Sequence, residues 1–356
     1  MNKYITDRNK QILRLGSYEI SKDTIDDVFA ENASNWSEAE IEVFSFLRDW
    51  FSSSEEITVH TSGSTGTPKP RVVRKSQMIQ SAAMTCEFLN LNTQTQALLC
   101  LPMSFIAGKM MVVRGLVSGY CLHVISTDGH PFTKIRFAVD FVAMIPLQVF
   151  NTLTNETEKL RFESVSQIII GGAAIDPEIE KLLQGLHNTV FSTYGMTETL
   201  SHIALRRVNG PDASLFYTPL PGVSLRTSSD QALIIDAFNV CDETLQTNDI
   251  VEFDSAGNFR VIGRKDNVIN SGGVKLQIEQ IEAKIAHLFV SPFAISAKPD
   301  SRLGEKVVLY SEEELSAAKL SQMEALLSKY EYPKEIIHIE QIPRTESGKI
   351  RRKDLR

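Results

Sequence analysis

The chain has 356 residues, of which 42% are hydrophobic and 23% are charged. These proportions exclude a disordered chain, a collagen-like fibre and a disulfide-rich miniprotein, and a chain of this length is expected to form about two domains. The formal net charge of −7 argues against nucleic acid or an anionic membrane as a general partner, although residues 344–356 carry six basic and two acidic side chains.

Helical and strand patterns alternate along the first two thirds of the chain, which favours an α/β architecture. In chain order the predicted elements are strand 57–60, helix 76–89, strand 97–101, helix 107–117, strand 121–126, strand 141–145, a helix that begins at Pro146, strand 166–170, a helix capped by Asp176, and strand 190–193.

The pattern changes at Pro211, where the segments become short and rich in turns. A hairpin is predicted for strands 250–253 and 259–262, followed by a helix with apolar positions 278, 281, 285 and 288, strands 293–297 and 306–310, helix 314–329, and strand 335–340. We place the domain boundary between Arg264 and Lys265, which gives a large domain of residues 1–264 and a small α+β domain of residues 265–356.

The N-terminus and the cysteines bear on the compartment. Residues 1–16 lack the apolar core of a signal peptide, and no apolar run of about 18 residues occurs. The cysteines are scattered without the spacing of a metal site or a disulfide framework, and they are Cys86, Cys100, Cys121 and Cys241. We therefore expect reduced thiols and a cytoplasmic location.

Residues 61–70, with the sequence TSGSTGTPKP, follow a predicted strand. Their glycines and hydroxyl residues leave backbone N–H groups open to phosphate oxygens, and Lys69 adds a cation. A polar surface turn is the alternative. The loop is not a Walker A motif, because Pro68 stands where the second glycine belongs when the count starts at Gly63.

This loop resembles the phosphate loop of the adenylate-forming superfamily, which contains acyl-CoA synthetases, adenylation domains and luciferases. Other segments resemble further motifs of the superfamily in the same order. They are GGAA at 171–174, TYGMTE at 193–198, TND at 247–249, GRKD at 263–266 with SGG at 271–273, and PRTESGK at 343–349. The resemblance implies a large N-terminal domain, truncated at its N-terminus because the loop begins at residue 61, and a small mobile C-terminal domain.

The resemblance also implies that the protein binds ATP, Mg²⁺ and coenzyme A and activates a carboxylic acid as an acyl-adenylate. The residues that would surround the nucleotide are Thr61, Ser62, Gly63, Ser64, Thr65, Gly66, Lys69, Gly172, Ala173, Ala174, Tyr194, Gly195, Met196, Asp249 and Arg264. Among these, Tyr194 would stack on adenine, whereas Asp249 and Arg264 would contact the ribose.

The catalytic roles implied by the resemblance fall on three residues. Thr197 would bind the α-phosphate, and Glu198 would hold Mg²⁺, which prefers oxygen ligands. Lys349 would bridge the two anions that react, the carboxylate and the α-phosphate. Asp266 would be the hinge about which the small domain turns to present residues 271–273 for thiol attack.

Two positions and one segment depart from the superfamily pattern. Pro70 replaces a glycine and removes one backbone N–H group. Asn248 replaces the glycine of a T-G-D motif, and residues 275–282 lack the usual proline. Lys275 is a possible contact for CoA phosphates, with a solvated lysine as the alternative.

Residues 193–202 most resemble the o-succinylbenzoate–CoA ligases of menaquinone biosynthesis. Their substrate has a second carboxylate, for which Lys109, Arg114 and His202 are candidate partners. A snorkelling side chain is the alternative for the two cations. Other aryl- or fatty-acid CoA ligases, a loader of carrier proteins in trans, and an inactive nucleotide-binding protein remain open, as do a monomer and a homodimer.

Overall fold

The computed structural model describes residues 3–60, 70–344 and 350–355. Several predicted site residues lie outside the described residues, namely Thr61, Ser62, Gly63, Ser64, Thr65, Gly66, Lys69 and Lys349. The chain divides into two compact units, the first comprising Met1–Ser224 with Asp236–Leu245 and the second Leu225–Ile235 with Gln246–Arg356.

The first unit alternates strands and helices. Its elements are β1 (Ile12–Leu15), β2 (Tyr18–Ser21), α1 (Ile25–Asn32), α2 (Glu38–Phe51), β3 (Glu56–His60), β4 (Pro70–Arg74), α3 (Lys75–Phe88), β5 (Gln96–Leu99), α4 (Ile106–Ser118), β6 (Cys121–Val124), β7 (Phe141–Met144), α5 (Pro146–Leu153), α6 (Glu156–Glu163), β8 (Gln167–Ile170), α7 (Pro177–Leu183), β9 (Thr189–Gly195), β10 (His202–Arg207) and β11 (Thr218–Pro219).

Among the described residues, nine strands form one sheet in the order β11-β10-β9-β8-β7-β5-β6-β1-β2. The run from β9 to β1 is parallel, and antiparallel strands complete both edges of this described sheet. β5 pairs with β6 on one side and with β7 on the other, so the sheet grows in both directions from β5. Ligands of open α/β sheets bind outside the carboxyl ends of the strands at such a switch point.

Local sequence explains the central elements of the sheet. All four residues of β7 are buried, and since successive side chains point to opposite faces, both faces of the sheet are covered there. Pro146 occupies the start of α5, where its missing N–H group has no helical partner to lose. Asp176 caps α7 by accepting a hydrogen bond from Glu178 N at 2.9 Å. The predicted α/β class is confirmed.

The second unit contains the remaining elements. They are β12 (Ser224–Thr227), β13 (Ala232–Asp236), β14 (Leu245–Phe253), β15 (Phe259–Arg264), β16 (Val268–Ser271), β17 (Val274–Gln277), α8 (Ile278–Ile285), β18 (Phe293–Asp300), β19 (Gly304–Ser311), α9 (Ala317–Leu326) and β20 (Glu335–His338). One sheet has the order β12-β13-β14-β15; the other has the order β17-β16-β19-β18, with β20 beside β19.

Two predicted features of this unit are present. Asp254 closes the turn of the β14–β15 hairpin by accepting hydrogen bonds from Ala256 N at 2.9 Å and Asn258 N at 2.8 Å. Ile278, Ile281 and Ile285 are buried in the apolar cluster beneath α8. The predicted domain boundary between Arg264 and Lys265 falls inside the second unit, and it stays a prediction about a movement, as does the hinge role of Asp266.

The described residues contain no helix that has both the length and the apolar character needed to cross a membrane. All four cysteines are free thiols and are buried. Burial raises the pKa of Cys86 and of Cys100 to about 12, so both thiols are protonated at neutral pH.

Candidate active site

Two motifs of the first unit lie at the carboxyl edge of the nine-stranded sheet. Residues 171–174 directly follow β8, and Gly195 is the last residue of β9. β8 and β9 are parallel neighbours, which brings these two motifs side by side. These two motifs therefore meet at the carboxyl edge of the parallel strands, the edge at which open α/β sheets bind their ligands.

The turn after β8 requires glycine at two positions. A Cβ atom on Gly171 would stand 2.6 Å from Thr193 Oγ1, whose hydroxyl donates to the carbonyl of Ile170 at 3.2 Å. Gly172 has a φ of +89°, which L-residues with side chains rarely adopt. Ala173 and Ala174 follow this turn, with Ala174 exposed. The predicted nucleotide residues Gly172, Ala173 and Ala174 thus lie on an open, tightly turned backbone.

Gly195 permits close contact between β9 and β10. A Cβ atom there would lie 2.4 Å from Ser201 O and 2.5 Å from His202 Cα. The preceding residue, Tyr194, packs against Tyr217 with ring centroids 5.9 Å apart. The aromatic residue predicted to stack on adenine is therefore braced by a second aromatic ring.

The backbone between Met196 and Ser201 is strained. Thr197–Thr199 forms a short 3₁₀ turn, and the Thr199 hydroxyl accepts from Met196 N at 3.0 Å. Leu200 has a φ of +64°, and Ser201 N donates to Thr199 O at 2.7 Å across it, as in a classic γ-turn. Strain of this kind persists where the surrounding structure holds it, commonly at functional sites. The strained residue Leu200 follows closely after the predicted catalytic pair Thr197 and Glu198.

Glu198 faces a cation that sequence reasoning missed. Arg71 Nη1 lies 3.7 Å from Glu198 Oε1, and both side chains are about two-fifths exposed. Arg71 belongs to β4, which pairs with β3 so that His60 lies opposite Pro70. The two ends of the predicted phosphate loop are therefore adjacent, and its exit strand lies beside Glu198. The one sequence signal for Arg71 was its place two positions after Lys69, next to the predicted phosphate loop.

The donor set fits a magnesium ion that is shared with a nucleotide. No group of three His, Cys, Asp or Glu side chains lies together in residues 3–60, 70–344 and 350–355. Mg²⁺ commonly takes one or two protein carboxylates and completes its shell with substrate phosphates and water. The single accessible carboxylate of Glu198 is consistent with that mode of binding.

Behind the strained turn, a directed chain of hydrogen bonds runs through the core. Arg114 Nη2 donates to Ser201 Oγ at 2.7 Å, and Ser201 Oγ lies 3.4 Å from His202 Nδ1. His202 Nε2 lies 3.0 Å from Thr85 Oγ1, which donates to Ser81 O at 3.1 Å. Because the Thr85 hydroxyl has a single hydrogen, it must accept from Nε2–H. His202 Nδ1 is then the acceptor for the hydroxyl of Ser201.

The two titratable side chains of this hydrogen-bonded chain, His202 and Arg114, differ in charge. Burial, and then the charge of Arg114, lower the pKa of His202 well below its usual value, so the imidazole is neutral at pH 7. Burial lowers the pKa of Arg114 too, but a guanidinium stays protonated. Its side chain is only 2% exposed, and its Nε has no hydrogen-bond partner among the described atoms. Neighbouring Cys86 and Tyr120 have pKa values raised by burial and carry no counter-charge.

The three candidate residues for a second carboxylate do not all lie together. Arg114 and His202 meet through Ser201, which sequence reasoning did not single out. Lys109 Nζ instead donates to the backbone carbonyl of Thr58 in β3 at 3.1 Å. Burial lowers the pKa of Lys109.

In the second unit, the predicted ribose and hinge residues form one ionic network. Asp249 and Arg264 lie opposite each other in the β14–β15 hairpin. Arg264 Nη1 is 2.9 Å from Asp249 Oδ1, and Arg264 Nε is 3.0 Å from Asp266 Oδ1. Gly272 and Gly273 take positive φ values in the turn between β16 and β17, and the exposed Lys275 follows in β17. The guanidinium of Arg264 thus contacts both Asp249, the predicted ribose residue, and Asp266, the predicted hinge residue.

Comparison with known proteins places the chain in a family. The sequence pattern of the family described as AMP-binding enzyme matches residues 53–233, just over half of the chain. The chain therefore belongs to the AMP-binding enzymes, as its motifs predicted.

Individual relatives extend this result. A solved protein of Dyadobacter fermentans, described as an acyl-CoA synthetase (AMP-forming)/AMP-acid ligase II-like protein, is 37% identical, with a TM-score of 0.64 over 89% of this chain and 93% of that one. The 2-succinylbenzoate–CoA ligase of Lactococcus lactis is 26% identical over 84% of this chain and 70% of its own length. The o-succinylbenzoate CoA synthetase of Bacillus subtilis, solved with its acyl-adenylate intermediate, shares the fold at 21% identity and a TM-score of 0.70, over 84% of this chain and 68% of that one.

Proposed function

We propose that this protein is an AMP-forming acid–CoA ligase that converts o-succinylbenzoate into o-succinylbenzoyl-CoA. The carboxylate attacks the α-phosphate of ATP and releases pyrophosphate; the thiol of CoA then attacks the adenylate carbonyl and releases AMP. Membership of the AMP-binding enzymes supports the first step. The names of the Lactococcus and Bacillus relatives support the choice of acid and of CoA.

In this proposal the described residues bind and orient the nucleotide. Tyr194 stacks on adenine, Asp249 accepts from the ribose hydroxyls, and Thr197 donates to the α-phosphate. Glu198 holds Mg²⁺, which when bound neutralises phosphate charge and favours departure of pyrophosphate. A related Bacillus subtilis enzyme has been solved with ATP and a magnesium ion, which supports the choice of these two ligands.

The two lysines of the proposal lie outside the described residues. Lys69 would contact the phosphates, and Lys349 would bridge the attacking carboxylate and the α-phosphate, where negative charge concentrates in the transition state. Arg71 lies beside Glu198 and would add a second cation to Lys69, which supports a phosphate site near Glu198.

The observation that carries the choice of acid is the buried guanidinium of Arg114. A cation in the core is costly unless an anion completes its environment. Its hydrogen bond to Ser201 leads toward the Thr197–Glu198 turn, where the acid must be activated. The second carboxylate of o-succinylbenzoate is the anion that we propose for this position, with the Ser201 hydroxyl turning away from His202 Nδ1 to donate to it.

Acid-dependent exchange between pyrophosphate and ATP tests this choice. The panel comprises o-succinylbenzoate, benzoate and decanoate, each measured with Mg²⁺ and with a chelator. We expect exchange with o-succinylbenzoate at least about tenfold above that with the monocarboxylates, since one charge-assisted contact contributes about 1.5–3 kcal/mol. Faster exchange with benzoate or decanoate would assign another ligase activity, and no exchange with any acid would favour an inactive nucleotide-binding protein.

The proposal includes a cytoplasmic location, where ATP and CoA are supplied. Both a monomer and a homodimer remain compatible with the proposal.

A further inference from the structure

A bidentate ion pair joins the C-terminal segment to α8. Arg352 Nη1 and Nη2 donate to Glu282 Oε1 and Oε2, each at 2.8 Å. Ile295 of β18 completes the arrangement, because its N–H donates to Glu282 Oε1 and its carbonyl accepts from Arg352, both at 2.8 Å. Three elements are therefore fixed at one point with defined orientation.

The pair lies next to the segment that carries Lys349. Arg344 and Ile350 form a β-bridge that brings the two flanks of this segment together. Arg351 N donates to Pro343 O at 2.8 Å, and on the N-terminal flank Ile342 N donates to Glu312 Oε1 at 2.7 Å. Both flanks are thus tied to the body of the second unit.

Apolar packing supports the same flanks. Ile342 and Leu355 are buried with Ala294, Val308 and Tyr310 of β18 and β19, and Ile350 packs against this cluster. These contacts already supply hydrophobic stabilisation, so the ion pair is not needed simply to attach the segment.

The ion pair itself is well shielded from water. The side chains of Arg352 and Glu282 are 15% and 18% exposed. Burial raises the pKa of Glu282, and the charge of Arg352 only partly offsets this effect. A buried pair of this kind contributes little net stability, because desolvation opposes the attraction, whereas its bidentate geometry fixes direction.

We propose that Glu282 and Arg352 are positioning residues for the adenylation half-reaction: together they set the direction of the flank that follows Lys349. The inference rests on the proposed function, which gives Lys349 a role in adenylation, and it takes the lysine to have no part in thioester formation. A displacement of about 1 Å at a reacting group can cost about 10²-fold in rate. Loss of the pair should therefore slow adenylation selectively.

The variants Glu282→Gln and Arg352→Lys test the proposal, with Lys349→Ala as the reference for complete loss of the lysine. Lys284→Ala is the matched control, because Lys284 lies on the same helix and pairs with Glu331 at 2.6 Å instead. Two rates are measured for each protein: acid-dependent pyrophosphate exchange, and thioester formation from supplied acyl-adenylate and CoA. Thermal midpoints verify that each variant is folded.

We expect Glu282→Gln to lower the kcat of adenylation at least about tenfold, with KM values for ATP and acid and the rate of thioester formation changed by less than about twofold. Arg352→Lys keeps the charge but loses the fork, so it should fall between Glu282→Gln and wild type. Lys284→Ala should match the wild type in both half-reactions.

An equal fall in both half-reactions, or unchanged adenylation in a folded Glu282→Gln protein, would overturn the positioning role. Wild-type protein without acid-dependent exchange would instead overturn the proposed function, and the inference with it. Measuring the wild-type protein first therefore distinguishes failure of the proposed function from failure of the positioning role.

Discussion

Two buried cations in the first unit have opposite surroundings. Lys75 is fully buried, and its ammonium group donates to the carbonyls of Asp49 and Ser52 and to the Ser52 hydroxyl, at the end of α2. Arg114 is equally enclosed but makes one hydrogen bond to oxygen, and its Nε has no partner among the described atoms. The first cation stabilises a helix end. Arg114 retains an incomplete set of hydrogen bonds, as expected for a cation that binds an anionic ligand.

Replacing each cation by methionine separates these roles. In Arg114→Met we expect the free energy of unfolding to change by less than about 1 kcal/mol, because the variant removes an incompletely bonded buried charge. Its kcat/KM for o-succinylbenzoate should fall more than about tenfold, while the KM for ATP stays nearly constant. Urea unfolding and the exchange assay measure both quantities.

Lys75→Met is the matched control for this prediction. It should lower the free energy of unfolding by about 2 kcal/mol, since helix-end acceptors lose their donor, and it should leave kcat/KM for the acid nearly unchanged. An Arg114→Met protein that retains full activity on o-succinylbenzoate would contradict the role given to Arg114.

His202 makes stability depend on pH with a definite sign. Its pKa is well below the usual value in the folded protein, whereas in the unfolded chain it is about 6.5. Below that pH the unfolded chain binds a proton that the folded protein does not, so stability falls as pH falls, by at most about 1.4 kcal/mol per pH unit for this one group.

The variant His202→Gln should weaken that dependence, because glutamine can still donate to Thr85 but cannot be protonated. Urea unfolding between pH 5 and 7.5 should give a smaller loss of stability on acidification than in the wild type. Parallel pH profiles for the two proteins would show that His202 is not the group responsible.

At the level of secondary structure, the contact between β9 and β10 sets the position of Glu198. The strained turn at Leu200 connects these two antiparallel strands, and Gly195 lies against its far end. Any side chain at position 195 must push the strands apart, and this would displace the turn that carries Thr197 and Glu198.

Gly195→Ala should therefore lower the free energy of unfolding by about 2 kcal/mol and reduce adenylation activity. Gly185→Ala is the control, because a Cβ atom there has no neighbour within 4 Å. It should leave both quantities unchanged or raise stability slightly. Chemical denaturation and pyrophosphate exchange measure the effects, and equal behaviour of the two variants would refute the steric argument.

Much of the central sheet could be predicted from local patterns. β7 and β8 are apolar runs, the first followed by Pro146 and the second by Gly171, so their place in a parallel sheet followed from sequence. β1 could not be found in this way, because it pairs with β6, which lies more than one hundred residues further along the chain. The same holds for Arg71 and Ser201, whose partners are set by tertiary contacts with Glu198 and Arg114.

At the level of the whole molecule, the chain passes between its two compact units more than once. Residues 225–235 belong to the second unit, and residues 236–245 return to the first. The sequence predicted a single boundary after Arg264, where a compact α+β pattern begins, because a change of pattern along the chain cannot show that a later segment returns to the first unit. The hinge at Asp266 is a separate prediction about movement.

The central claim is that this AMP-binding enzyme joins o-succinylbenzoate to CoA at the expense of ATP. The most direct test incubates purified protein with o-succinylbenzoate, Mg-ATP and CoA and measures nucleotides and thioesters by chromatography with mass detection. We expect o-succinylbenzoyl-CoA and AMP in equal amounts, and neither product when the acid is omitted. Formation of ADP in place of AMP, or no thioester from o-succinylbenzoate under conditions where another acid reacts, would contradict it.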